Sequence, residues 1–187
     1  MKGDTVHLVI SELIVDTNTT NKELFTEKDG EKFYKIYVHL SSGDIIALVS
    51  EFLLKEIDGH AKLKGYLAST VIKEPREHLF TYFNVTEMEP VDENCELTNI
   101  VDISGRITKI CKLVTLNNGK QILPIVISRM SEDGHTSIIH AVLSNAAARR
   151  LNKERDKQYS INASGAIVTC RSTIEVRVTT LTLMERR

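Results

Sequence analysis

Residues 99–110 read NIVDISGRITKI. Apolar and polar side chains alternate as they do in a β-strand, and the pair Gly105–Arg106 interrupts the alternation before it resumes. A glycine inside a strand weakens it unless the backbone bends sharply there or another group approaches closely. The stretch therefore predicts the first strand of a small, strongly curved barrel, with the charge of Arg106 on its working face.

The chain from residue 99 to its last residue continues the strand pattern and adds one helix. Residues 144–156, SNAAARRLNKERD, offer Ser144 or Asn145 as N-cap, an alanine-rich first turn and Leu151 on the inward face. The turn signals NNG and EDG separate the neighbouring segments. The predicted order is strands over 99–110, 120–130 and 136–144, with a short segment at 111–116, then the helix over 144–156, then strands over 158–170 and 173–185.

The first half has the same order of elements. Its one helical pattern is SEFLLKEIDG at 50–59, with a capping serine, an apolar stripe and a final glycine. These residues are Ser50, Phe52, Leu53, Ile57 and Gly59. Strands are predicted over 6–15, 31–40, 44–50, 60–72 and 78–88, and the polar, acidic segment 91–98 after Pro90 is predicted to be a linker.

The two halves also match in detail. DIIALVSEF at 44–52 aligns with SIIHAVLSN at 137–145, and LKGYLAS with ASGAIVT, which places Gly65 and Gly165 at equivalent positions. We interpret this as an internal duplication. Five strands with a helix between the third and the fourth are the order of the OB-fold. We predict an all-β protein with one short helix per domain, namely two tandem OB-fold five-stranded Greek-key barrels over 1–90 and 99–187.

The second half is similar in sequence to bacterial single-stranded DNA-binding proteins. NIVDISGRITKI resembles the opening strand of that family, which has a Gly-Arg pair at the same place. SIIHAVLSNAAARRL resembles its third strand and helix, INASGAIVTC its fourth strand and TIEVRVTTLTLMER its last. The same order of elements occurs in the primosomal replication protein derived from this family. The resemblance implies a barrel that binds single-stranded DNA.

The chain departs from this family in its aromatic residues. The family stacks bases on aromatic side chains, several of them tryptophan, whereas this chain has no Trp. Family aromatic positions correspond to Ser137 and Leu143, a family arginine to Ala166, and Tyr159 is the one aromatic residue of the second half. Without stacking, worth roughly 1–3 kcal/mol per base, this half is predicted to bind through phosphate contacts that weaken steeply with salt.

Charge and aromatic residues divide between the halves. Residues 1–94 have a net charge of −7 and residues 95–187 a net charge of +6. A basic unit favours a polyanionic partner, although two solvated surfaces of opposite sign explain the charges equally well. The aromatic residues Phe33, Tyr37 and Phe52 are predicted to be in the core. The candidate nucleic-acid-binding residues are Arg106, Lys109, Lys112, Lys120, Arg129, Tyr159, Arg171 and Arg177 in the second half, and Tyr34, Tyr66 and Tyr82 in the first.

The cations of the helix, Arg149, Arg150, Lys153 and Arg155, are interpreted as a solvated face. No catalytic or metal-binding pattern is present: the six histidines lack H-E-x-x-H spacing, and there is no G-x-S-x-G or P-loop. We expect a non-enzymatic protein without cofactors. Three scattered cysteines and the lack of a long apolar run predict a cytoplasmic protein with no membrane partner.

The leading hypothesis is a protein that binds single-stranded DNA, or RNA, with little sequence preference. It would assist DNA replication or recombination, with replication proteins as further partners, and belong to a mobile element or phage. The alternative is an OB-fold module for protein interaction and assembly that does not bind nucleic acid, favoured by the missing tryptophans and the acidic first half. A homo-oligomer is expected, and a dimer would contain four barrels.

Overall fold

The computed structural model describes residues 9–73, 76–131, 134–170 and 173–186. Nearly all of the regular structure in these residues is β-strand. The strands of the first half are β1 (Ser11–Asn18), β2 (Glu23–Lys28), β3 (Glu31–Leu40), β4 (Gly43–Ser50), β5 (Asp58–Ile72) and β6 (His78–Pro90), with a 3₁₀ helix at Thr19–Asn21. The second half has β7 (Ile100–Ile110), β8 (Val114–Thr115), β9 (Gln121–Met130), β10 (Thr136–Ser144), α1 (Asn145–Lys153), β11 (Tyr159–Cys170) and β12 (Thr173–Glu185).

Each half closes into a five-stranded barrel. In the first, the neighbours run β1-β5-β6-β4-β3, and β3 pairs back with β1. In the second, they run β7-β11-β12-β10-β9, and β9 pairs back with β7. The parallel pairs are β4–β6 and β10–β12, and the extra strands β2 and β8 each add to the strand that follows them. The prediction of two OB-fold barrels is confirmed.

Glycines lie where strands of each barrel bend against a neighbour. The register of β5 against β6 shifts between Lys64 and Gly65, and that of β11 against β12 shifts between Ser164 and Gly165. A methyl group at Gly65 would overlap the carbonyl oxygen of Asn84, as one at Gly165 would overlap that of Arg177. These bulges bend the strands, as the pattern predicted.

The matched β4 and β10 segments are one residue out of register with the sequence alignment. Ile45, Ala47 and Val49 point into the first core, whereas the alignment pairs Ile45 with Ile138, which is half-buried on the outside of β10. In the structure, Ala47 and Ala141 hold the equivalent places, since each pairs with the parallel last strand of its barrel. A shift of one residue exchanges the two faces of a strand, so residue similarity alone gave the wrong register between β4 and β10.

The helix predicted over 50–59 is wrong. The Ser50 carbonyl accepts hydrogen bonds from the amides of Leu53 at 3.1 Å and Leu54 at 3.0 Å, which makes a single turn. The chain must then place Ile57 in the core, where its amide donates to Thr19 Oγ1 at 2.9 Å. Phe52, predicted to be in the core, is therefore left 79% exposed. Gly59, predicted to stop the helix, is instead the second residue of β5.

The other differences lie in strand limits. The sequence analysis missed β2, although the pair Asp29–Gly30 at positive φ makes the tight turn between β2 and β3 and is a strong hairpin signal. Residues 111–116 form only the two-residue strand Val114–Thr115. The helix ends at Lys153 rather than at residue 156, and of the two predicted N-cap candidates Ser144 holds that position, without a capping hydrogen bond from its side chain. Residues 6–8 of the first predicted strand lie outside the described residues.

The two barrels share one contiguous set of buried apolar residues. Polar contacts also join them close to β7. The side chain of Asn99 donates to Ser42 Oγ at 2.7 Å, and the amide of Asp102 donates to Ser11 Oγ at 2.9 Å. Thr98, just before β7, pairs with β1 by donating its amide to the Ile14 carbonyl at 2.9 Å. These contacts fix the start of the second barrel against the first.

Candidate nucleic-acid interface

A groove of about 700 Å³ runs between the two barrels. The first barrel lines it with aromatic rings, and the second lines it with polar side chains and one methionine. The principal lining residues are Phe25, Phe33, Tyr66, Tyr82 and Asn84 from the first barrel, and Arg129, Met130, Ser131, His135 and Ser137 from the second. The groove therefore combines flat apolar surfaces with hydrogen-bonding groups.

Strand alternation explains why the rings face outward. Tyr66 on β5 lies between the core residues Gly65 and Leu67, and Tyr82 on β6 precedes the buried Phe83. Because successive side chains of a strand point to opposite faces, both tyrosines project from the barrel wall, and Asn84 does the same opposite Tyr66. Phe33, predicted to be in the core, instead lines the groove, and Tyr37, also predicted there, is exposed.

Three rings form a continuous row on this face. Phe25 and Phe80 have their ring centroids 5.5 Å apart, and Phe80 stacks on Tyr82 at the same separation. The Lys35 ammonium lies 4.8 Å from the centroid of Phe25 and 5.2 Å from that of Phe80. Phe25 sits at the register shift between β2 and β3, and such a bulge re-aims a side chain. The sequence analysis did not single out Phe25 or Phe80.

Arg129 was predicted to be a strand cation free to meet phosphate, but it is only 2% exposed. Its Nη2 donates to the carbonyl of Leu67 at 2.8 Å, and its guanidinium carbon lies 4.7 Å from the centroid of the Tyr66 ring. Burial lowers the pKa of Arg129, while the nearby Tyr66 and Tyr82 act in the opposite direction. This cation belongs to the contact between the barrels.

The burial of Arg129 follows from the edge of β5. Strand β1 pairs with β5 only as far as Gly65. Beyond that point, side chains of the second barrel meet the β5 backbone: Arg129 at Leu67, the hydroxyl of Ser137 at the Ser69 amide (3.4 Å), and Nε2 of His135 at the Ser69 carbonyl (2.8 Å). The second barrel thus completes the hydrogen bonding of the first.

A second, basic cleft of about 370 Å³ lies at one end of the second barrel. Its charged lining residues are Arg106 and Lys109 of β7 and Arg155, Asp156 and Lys157 after α1, so four cations face one carboxylate. Arg106 donates to Gln158 Oε1 at 3.0 Å, and Lys157 forms an ion pair with Glu185 at 3.0 Å. Within the described part of the chain, Arg106, Lys109 and Arg155 have no carboxylate partner. Arg155, predicted to belong to a solvated helix face, therefore adds to this cleft.

The basic cleft and the groove adjoin each other. Arg106 pairs with Ser128 on β9, and Met130, two residues further on the same face of β9, lines the groove. Strand spacing places the Cα atoms of Arg106 and Met130 roughly 9 Å apart. One extended chain can therefore pass from the rings of the first barrel to the cations of the second.

The remaining predicted cations do not join this surface. Lys112 and Lys120 are exposed in the connection before β9, whereas Ser128, the partner of Arg106, lies near the end of that strand. Arg177 pairs with Ala166 on β11 and Arg106 with Ser160, so the two arginines are about 20 Å apart along that strand. Arg171 lies outside the described residues.

Two of the predicted aromatic residues also lie elsewhere. Tyr159 is 3% exposed in the core, so its ring cannot stack on a base. Its hydroxyl donates to the Glu154 carboxylate, which raises the pKa of Tyr159 and lowers that of Glu154. Tyr34 is half-buried beside Lys22, whose ammonium lies 5.6 Å from the ring centroid. Among the predicted tyrosines, Tyr66 and Tyr82 line the groove.

The fold is similar to that of solved structures over nearly the whole chain. The chain superposes on the crystal structure of the wild-type single-stranded DNA binding protein from Thermus aquaticus with a TM-score of 0.76 at 14% sequence identity, covering 96% of this chain and 94% of that one. A deletion mutant of that protein gives a TM-score of 0.75 at 14% identity, with 93% of each chain covered. The two proteins share a fold. No protein-family model and no curated protein sequence matches the chain.

Groups of metal-ligating side chains and membrane-spanning helices were sought in the described residues. Between residues 9 and 186, apart from the three short gaps, no three His, Cys, Asp or Glu side chains are grouped so that they could hold a metal ion. Over the same residues, no helix has the length and apolar character needed to cross a membrane.

Proposed function

We propose that this protein binds single-stranded DNA with little sequence preference. The observation that carries the proposal is the aromatic groove of the first barrel adjoining the basic cleft of the second. Rings provide surfaces on which any base can stack, and cations neutralise phosphates of any sequence. The shared fold with the Thermus aquaticus protein supports the same proposal.

The two barrels contribute different parts of the binding energy. In the first, Phe25, Tyr66, Phe80 and Tyr82 supply stacking, worth roughly 1–3 kcal/mol per base. In the second, Arg106, Lys109 and Arg155 supply phosphate contacts. This division compensates for the scarcity of aromatic residues in the second barrel. It moves the stacking surface to the half with the negative net charge, where Lys35 offsets that charge beside the rings.

The proposed cellular role is accessory to DNA replication or recombination, on a mobile element or phage, in the cytoplasm and in contact with replication proteins. Bases in RNA present the same flat faces as those in DNA, so RNA is a second proposed ligand of the same surface. We also propose a homodimer, which would place four barrels in one particle. Light scattering at micromolar concentration tests the dimer, and a strict monomer would exclude it.

Fluorescence anisotropy with labelled oligo-dT across a salt series tests the binding proposal. Complex formation is expected at ~50 mM salt, with an affinity that falls as salt rises because bound phosphates release counterions. The slope of log affinity against log salt should correspond to a few phosphate contacts. The contribution of stacking to the affinity should be retained at high salt. Absence of binding at ~50 mM salt, where phosphate contacts are strongest, would exclude the proposed function.

A second candidate is an assembly module that contacts protein through the first barrel. The observation in its favour is Phe52, 79% exposed at the mouth of a pocket that also contains Leu53 and Met88. The two candidates separate on charge reversal of Arg106, Lys109 and Arg155. That change should abolish DNA binding and leave the mass measured by light scattering unchanged, whereas Phe52→Ser should lower the mass if the assembly module is correct.

A further inference from the structure

Arg129 has an unused hydrogen-bonding edge in the groove between the barrels. The residue is only 2% exposed. Nη2 donates to the Leu67 carbonyl at 2.8 Å, but Nε has no hydrogen-bond partner. Within the described segments, no carboxylate forms an ion pair with this arginine. A guanidinium is always charged in proteins, so a positive charge and an open donor are both held inside the molecule.

Such an arrangement is costly unless a ligand completes it. Burying a charge without a partner is unfavourable, and so is a buried donor that makes no hydrogen bond. The face of the guanidinium is covered by the Tyr66 ring at 4.7 Å. The ring covers the face of the guanidinium and not its edge, and this edge matches the oxygens of a phosphate group in geometry and charge. Because Nε is buried, side chains of the groove wall would have to shift for a phosphate to reach it.

The surroundings of Arg129 favour a phosphate that is part of a nucleic acid strand. The groove measures about 700 Å³, within the range of sites that enclose an organic ligand, and is therefore larger than a free ion needs. Tyr66 and Tyr82 also line the groove, and since Arg129 lies over one face of Tyr66 and Phe80 stacks on one face of Tyr82, a base would stack on the opposite face of each ring. Asn84 and Ser137 add polar groups beside them.

We propose that Arg129 binds a backbone phosphate of the strand inside the groove, while the neighbouring bases stack on Tyr66 and Tyr82. This inference rests on the proposed function and assigns the most deeply buried contact between the protein and the bound strand. Because Arg129 is a residue of the second barrel that also bonds to Leu67 of the first, the bound phosphate would hold the two barrels together. The positive charge supplied by the second barrel then acts within the aromatic site of the first.

The salt dependence of binding tests this assignment. For single strands, each neutralised phosphate contributes about 0.7 to the slope of log affinity against log salt. Arg129→Gln is expected to reduce the magnitude of that slope by about 0.7 and to weaken oligo-dT binding roughly tenfold to a hundredfold at low salt. Arg129→Lys keeps a point charge and should retain the slope while binding more weakly. The matched control is Arg149→Gln on α1, an exposed arginine that donates to Gln121 Oε1 at 3.3 Å, for which no change is expected.

An unchanged slope in Arg129→Gln would overturn the assignment and leave the proposed function intact. A measurement on the unaltered protein covers the case in which Arg129→Gln does not fold. Inorganic pyrophosphate should raise its thermal midpoint above that measured in sodium chloride of equal ionic strength, because a ligand that binds the folded state stabilises it. No rise would overturn the phosphate site. If the protein failed to bind oligo-dT but pyrophosphate still raised the thermal midpoint, the proposed function would be excluded and the anion site at Arg129 would be supported.

Discussion

Arg129 of the second barrel lies over the ring of Tyr66 of the first, with 4.7 Å between the guanidinium carbon and the ring centroid. This pair joins the two sources of binding energy proposed for the molecule, an aromatic surface and a positive charge. It also marks the place where β5 loses its β1 partner and the second barrel begins to cover its backbone. Folding and the proposed ligand binding therefore involve the same side chains.

Removal of the groove tyrosines should weaken binding without altering its dependence on salt. Tyr66→Ala and Tyr82→Ala each delete one stacking surface, and each is expected to lower affinity for oligo-dT by about 1–3 kcal/mol. Anisotropy measured across a salt series should give parallel lines for the variants and the unaltered protein. Tyr34→Ala is the control, because Tyr34 lies beside Lys22 and does not line the groove. An equal loss in Tyr34→Ala would show that the groove is not the stacking site.

Charge reversal in the basic cleft should change the dependence of binding on salt. Arg106→Glu and Lys109→Glu each remove a phosphate contact, so each should reduce the magnitude of the salt slope by about 0.7. Arg177→Glu is the comparison. Arg177 is equally exposed on a strand of the same barrel, but it pairs with Ala166, far from the cleft. Equal effects of all three changes would mean that the DNA follows a different path across the second barrel.

Gly165→Ala should destabilise the protein. The added methyl group would overlap the carbonyl oxygen of Arg177, and forcing it in is expected to cost about 1–3 kcal/mol of unfolding free energy. Urea denaturation measures the change. Asn162→Ala, at an exposed position of the same strand, should alter stability by no more than about 0.5 kcal/mol. Equal stabilities of the two variants would show that β11 does not need its close approach to β12.

The pair Tyr159–Glu154 should make stability depend on pH at both extremes. The hydrogen bond lowers the pKa of Glu154 from 4.5, so its contribution is present above that value and is lost as pH falls through the lower pKa of the folded protein. The pKa of Tyr159 is raised from 10.0, so its contribution is present below that value and is lost as pH rises through the higher folded pKa. Tyr159→Phe should therefore lower the thermal midpoint at pH 7, and the difference from the unaltered protein should shrink at low pH. A difference that stays constant from about pH 3 to pH 7 would contradict this account.

Alternation and glycine were sufficient to predict the barrels. Each main strand contributes to a buried row at every second residue, and a glycine marks the bend, so strand order and curvature follow from local sequence. The segment after Ser50 shows where this reasoning failed. Its spacing favours a helix, but the short path from β4 to the buried Ile57 allows only one turn. Tertiary constraints overrode helix propensity there.

The site was only partly predictable because sequence gives charge without orientation. Arg106 and Lys109 share a cleft since they lie on one strand, whereas Lys120 and Arg177, equally basic, lie elsewhere. Tyr66 and Tyr82, named as candidates from the sequence, alternate with core residues of β5 and β6 and so face outward. Arg129 instead continues the buried row of Ile125 and Ile127 on β9, so alternation already placed it on the inward face; the packing of one barrel on the other shows that it is buried against β5.

The edge of β5 that β1 leaves unpaired limits how the protein can be cut into fragments. A fragment containing only the first barrel would expose the carbonyl of Leu67 and both backbone groups of Ser69, which the second barrel satisfies in the whole chain. Bare strand edges recruit strands from neighbouring molecules, so such a fragment is expected to precipitate or to form intermolecular sheets. Swapping either half into a chimera therefore requires its partner, or a redesigned edge, to travel with it.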